Sequence, residues 1–161
     1  MKTRSQRGYT LVEVMVGTGI LGLISTLIGS GLFQTITLRG KTSETFQAAG
    51  STRTATGWIT QDIPMALTTD LVDGGAPVSS ATFTWTDLFQ NAQAPHSVSY
   101  ALVSGNLQRN YDGTTDVIGR GITDVSFTRA GRLVTISVTS NSNGRFKVSD
   151  AKTVKAYLRS S

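Results

Sequence analysis

The sequence predicts an α+β protein: one long amino-terminal helix, membrane-spanning in its first half, packed on an antiparallel β-sheet of four to six strands. Three observations predict it. No charged residue occurs in residues 14–38, and no proline occurs before Pro64. From Thr82 onward, short runs of alternating apolar and polar residues are separated by Gly, Asn and Asp.

The helix comes first. Residues 14–33 are rich in Val, Ile and Leu, and about 20 residues at roughly 1.5 Å each match a hydrocarbon core of about 30 Å. Lys2, Arg4 and Arg7 precede this run, which places the amino terminus on the cytoplasmic side and the remainder outside. Gly17, Gly19, Gly22, Gly29 and Gly31 lie within it; Gly22 and Gly29, with Ser25 and Ser30, form a candidate face for close helix contact. After Phe33 the chain turns polar but stays free of proline. Phe46, Ala49, Ala55, Ile59, Ile63 and Ala66 recur at spacings of three, four and six, so a helix is expected over 9–66 with its second half against a sheet.

A cleaved secretory signal, a permanent anchor and a short leader all begin with such a segment. The run is longer than a secretory apolar stretch and lacks a small-residue cleavage site after it. Glu13 separates the other two readings. A carboxylate against an apolar run is costly, by roughly 2.5–3.5 kcal/mol at a helix centre and less near the interface, and so requires a partner.

Arg7-Gly8-Tyr9-Thr10-Leu11-Val12-Glu13, followed by the apolar run, resembles the cleavage and methylation motif of type IV prepilins. The resemblance implies a type IV pilin-like fold, cleavage after Gly8, and N-methylation of Tyr9 by a prepilin peptidase/methyltransferase. It further implies that the freed Tyr9 amine of one copy meets the Glu13 carboxylate of another during assembly, each charge being less costly paired than alone. Relatives often carry a proline in this half of the helix; here its place falls to Gly29-Ser30-Gly31.

The rest of the chain reads as strands. Residues 67–80 are expected to form a loop through Asp73-Gly74-Gly75 and Pro77; Phe83 and Trp85, then Val98, Tyr100 and Leu102, then Val125 and Phe127, then Val134, Ile136 and Val138, then Val154, Ala156 and Leu158 alternate with polar residues. Turns are expected at Gly105-Asn106, Ala130-Gly131 and 141–144. Gln61-Asp62-Ile63, Ser99-Tyr100-Ala101-Leu102, Leu107-Gln108-Arg109 and Tyr157-Leu158-Arg159 resemble segments of the J- and W-type minor pilins and pseudopilins. At 161 residues the chain divides into a leader (1–8), a transmembrane assembly helix (9–38), its amphipathic continuation (39–67) and an exported β-rich head (68–161).

Composition excludes several functions. With no cysteine, disulfides, Cys-ligated zinc and thiol catalysis are absent. The formal charge of +5 falls to +2 without the three leader cations, and the other basic residues are scattered, so a nucleic-acid partner is unsupported. Arg120, Arg129, Arg132 and Arg145 are the candidates if DNA is bound. His96, beside Pro95, reads as a surface-loop histidine without a nearby carboxylate, and Asp112-Gly113-Thr114-Thr115-Asp116 as a polar turn without the closing Glu of a calcium loop. No phosphate loop and no nucleophile elbow occur, so neither an enzyme nor a cofactor is expected.

The resemblance implies a cytoplasmic-membrane protein built into a cell-surface or periplasmic filament. Its partners would be the peptidase, major and minor pilins and an inner-membrane assembly platform. A receptor or adhesin anchored by one helix is the rival reading.

Overall fold

The computed structural model describes residues 10–86 and 95–160. It comprises two compact units, Met1–Gly40 and Lys41–Ser161. The predicted leader residues and Tyr9 lie outside the described residues.

Helix α1 runs Leu11–Asp62. Within the first unit its large apolar side chains, including Leu11, Leu23, Leu27, Phe33 and Leu38, are exposed, and the five glycines have open space beside them. Five of its hydroxyl groups bond within the helix. Thr18, Thr26, Thr35 and Thr37 donate to carbonyls four residues back, and Ser30 to Leu27, three back. A helix that closes its own side-chain hydrogen bonds in this way leaves few polar groups for an apolar surrounding to penalise. By length and composition this is the one described helix able to cross a membrane.

In the second unit α1 buries Ala48, Thr52, Ala55, Thr56, Ile59 and Asp62, a stripe at helical spacing made mostly of small residues. Ala55, Ile59, Ile63 and Ala66 sit in the core as expected, whereas Phe46 is 74% exposed. The inward turn at that level is Ala48 instead. Pro64 ends the α-helix by removing a donor, and a 3-10 turn, Ile63–Met65, follows.

Among the described residues eight antiparallel strands make two sheets rather than the one expected. Strands β1 (Thr68–Thr69), β2 (Ser80–Thr86), β3 (Pro95–Val103), β4 (Asn106–Tyr111) and β5 (Thr114–Arg120) lie in that order; β6 (Ile122–Ala130), β7 (Leu133–Asn141) and β8 (Ser149–Tyr157) form the second sheet. The sequence obscured β5 because a bulge between Leu107 and Gln108 shifts its register and breaks its alternation. The sheets divide at Gly121. Its φ of +67° and a carbonyl oxygen of Asn141 only 2.6 Å from where a Cβ would lie admit only glycine there. Asn141 N donates to Gly121 O at 2.8 Å, and Ile122 N to Gly105 O at 3.0 Å. The β3–β4 turn falls one residue earlier than expected, at Ser104-Gly105, both with positive φ.

Loop 70–79 laces the sheets together through a bridge between Val78 and Phe127 and another between Asp73 and Arg129. Beneath it, Phe83 and Tyr100 of the first sheet and Phe127 of the second form a ring cluster with centroids 6.1–6.5 Å apart. All three are fully buried, so one core serves both sheets and the helix.

Candidate functional site

The start of α1 is built by its own residues. Thr10 is the residue before the helix; its Oγ1 accepts from Glu13 N at 3.3 Å, while Glu13 Oε2 accepts from Thr10 N and Thr10 Oγ1, both at 3.1 Å. This is a reciprocal capping box, and an acidic group in the first turn also suits the helix dipole. The carboxylate therefore has hydrogen-bond donors within its own chain, both of them uncharged. The pattern Thr-x-x-Glu was legible in the sequence and was missed.

A second constellation ties the helix to the first sheet. Asp62, on the buried stripe, accepts from Arg109 Nε at 2.7 Å, from Arg109 Nη2 at 3.0 Å and from the Tyr100 hydroxyl. Tyr100 and Arg109 are direct cross-strand partners on β3 and β4. The Arg109 guanidinium lies 5.0 Å from the Trp58 ring centre and 4.8 Å from that of Tyr111. Burial and then the Asp62 carboxylate push the Tyr100 hydroxyl far above its ordinary pKa. Hydrogen bonding to Asp62 pushes the Arg109 pKa up, so the cation is permanent. These residues came from three sequence segments noted only as a resemblance. The direct signal was an acid, Asp62, three residues after Ile59 on an apolar face.

His96 differs from its expectation. It lies in β3, not in a loop, and its Nδ1 is 2.6 Å from Asp112 Oδ2. Asp112 Oδ1 also accepts from Ser97 N at 2.7 Å. The hydrogen bond from His96, and next that from Ser97, hold the Asp112 carboxyl below its ordinary pKa. The His96 ring stacks on Tyr111 and tilts against Trp85, at 6.0 and 5.8 Å. Asp112-Gly113 is the β4–β5 turn, with both residues at positive φ.

A third contact joins the helix to the β7–β8 connection. The Glu44 carboxylate accepts from Ser142 Oγ at 2.7 Å and from Phe146 N at 3.0 and 3.1 Å. Ser142 N and Val148 N close the loop on itself. Desolvation pushes the Glu44 pKa up, but the Ser142 hydroxyl and the backbone of Phe146, Lys147 and Arg145 outweigh it and bring the pKa down. A Cβ on Gly144 would overlap the Glu44 carboxylate, so the cradle requires glycine there.

Two of the four arginines considered for DNA are engaged with backbone. Arg129 donates to Gly131 O and Leu71 O, and Arg132 twice to Leu158 O. Among the described residues no group of three or more His, Asp or Glu is arranged to hold a metal ion.

Residues 3–29 match the family model of the prokaryotic N-terminal methylation motif. No curated protein and no solved structure matches the chain. The motif, the apolar helix and the antiparallel sheets together support a type IV prepilin-like protein of α+β, pilin-like architecture. The motif implies processing by prepilin peptidase and assembly with other pilins in a membrane, and motif and fold together point to a structural subunit.

Proposed function

We propose that the chain is a minor pilin or pseudopilin, cut after Gly8 and methylated at Tyr9, that is incorporated into or initiates a type IV pilus-like filament. The observation that carries this reading is the methylation motif at residues 3–29 with Glu13 inside it. Lys2, Arg4 and Arg7 hold the leader on the cytoplasmic side, the apolar half of α1 crosses the membrane once, and the β-rich unit is exported. Cleavage creates a terminal amine on Tyr9, one residue before the capping Thr10. The capping box keeps the Glu13 carboxylate at the helix start, where the amine of a neighbouring copy neutralises it as the helices pack. Exposed Leu, Ile and Val side chains of residues 11–38 form the shared filament core.

The test compares wild type with Glu13→Val in a strain expressing the assembly machinery. Cleavage continues, while the amount recovered in sheared filaments or their initiating complexes falls at least about ten-fold, the equivalent of 1.4 kcal/mol. Equal incorporation of the variant contradicts the pairing.

A further inference from the structure

The β-rich unit carries a basic end that the assembly reading leaves unused. Lys41, Arg120, Arg145 and Lys147 are all exposed. Arg145 and Lys147 flank the cradle that grips Glu44, and Arg120 lines a notch with Gln47, Asn141 and Asn143, one helical turn further along. Against these four cations stands the Glu44 carboxylate, which accepts from the Ser142 hydroxyl and the Phe146 amide. Asp150, which accepts a hydrogen bond from Thr52, lies two helical turns further along. The surface at this end is therefore cationic.

Chain connectivity fixes where this end lies. Six chain steps lead from Leu38, the last of the uncharged run, to Glu44. Even fully extended they reach only about 22 Å, and as helix about 9 Å, so Glu44 and the loop that grips it lie within that distance of the end of the uncharged run. A lysine or arginine lying close against an anionic lipid surface is attracted to it by about five-fold, an effect that fades within a Debye length. Phe46, exposed on α1 and lining a groove with Arg120, adds an aromatic group of the kind that partitions to the headgroup region.

We propose that Lys41, Arg120, Arg145 and Lys147 form a docking surface for the anionic headgroups of the membrane that holds the chain. Docking holds the head against the bilayer before assembly, with Glu44 and Gly144 positioning the loop. The inference rests on the membrane-anchored reading above.

The absence of cysteine makes the test direct, because one introduced cysteine is the only thiol in the chain. The full chain carrying Asn143→Cys, labelled with an environment-sensitive fluorophore, is reconstituted in two vesicle types. One is phosphatidylcholine alone and the other phosphatidylcholine mixed with phosphatidylglycerol, each with a headgroup-attached quencher. A label at Thr115→Cys serves as the distal control. Arg109 of the β4–β5 hairpin, paired with Asp116, meets the ring of Trp58, which lies 14 positions, or about 21 Å of helix, beyond Glu44. We expect quenching at Asn143→Cys in the mixed vesicles only, reversed by high salt, with little at Thr115→Cys. Arg145→Gln with Lys147→Gln should lower the docked-to-undocked ratio about ten-fold or more. Equal quenching in both vesicle types, or none in either, overturns the proposal; so does loss of filament incorporation in the double variant without any lipid-dependent quenching, which would assign these cations to a neighbouring subunit. Flotation with neutral vesicles reports anchoring separately. A chain that fails to float contradicts the membrane reading itself, whereas one that floats without quenching contradicts only the docking.

Discussion

Asp62 and Arg109, 47 positions apart in the chain, meet through two parallel hydrogen bonds with both side chains about nine-tenths buried. The pair fixes the last turn of α1 on the first sheet. Removing one partner strands the other charge in the interior: Arg109→Met or Asp62→Leu alone should destabilise fragment 41–161 by about 3–5 kcal/mol in urea unfolding. The double variant should recover much of that loss, because no unpaired charge remains. Additive losses would show that the two residues do not act as a pair.

Glu44 and Gly144 form a second dependent pair. Gly144→Ala should expel the Glu44 carboxylate from its cradle, since the flexible side chain yields before the loop backbone does. It should therefore lower the urea midpoint in the wild-type background and have little further effect in Glu44→Ala. A full additional loss in the double variant would mean that Gly144 serves the loop alone.

Acid should loosen the same unit. Glu44 and Asp112 both have folded-state pKa values held below their ordinary ones, so the folded state binds their protons less readily than the unfolded chain does. Their contribution is complete above the unfolded carboxylate range, about pH 4, and is lost as pH falls through the lower folded values. The melting temperature of fragment 41–161 should thus fall below about pH 4. The fall should be shallower in Glu44→Gln and in Asp112→Asn, which lack one of the titrating groups. An unchanged slope in both variants would place the acid sensitivity elsewhere.

The helix was legible because its signals are local: a charge-free run, no proline before Pro64, and small residues at helical spacing. Most strand positions were legible for the same reason, period-two alternation. The division into two sheets was not, since it depends on one glycine, Gly121, and on how Asn141 approaches it. Phe46 misled because an apolar residue at the right spacing need not face the core. The Asp62–Tyr100–Arg109 contact joins three distant segments, and nothing in any one of them specifies the other two. His96 looked solitary for the same reason: its carboxylate is 16 residues away across a hairpin. The capping box is the exception, a four-residue pattern that local reading had every means to find.

The most direct measurement of the central proposal is the intact mass and amino-terminal sequence of the protein recovered from membranes of cells that make a prepilin peptidase. The account predicts a chain beginning at Tyr9 and heavier by one methyl group, with the uncut precursor accumulating when the peptidase is inactivated or Gly8 is replaced. A protein that retains residues 1–8 in the presence of active peptidase would contradict it.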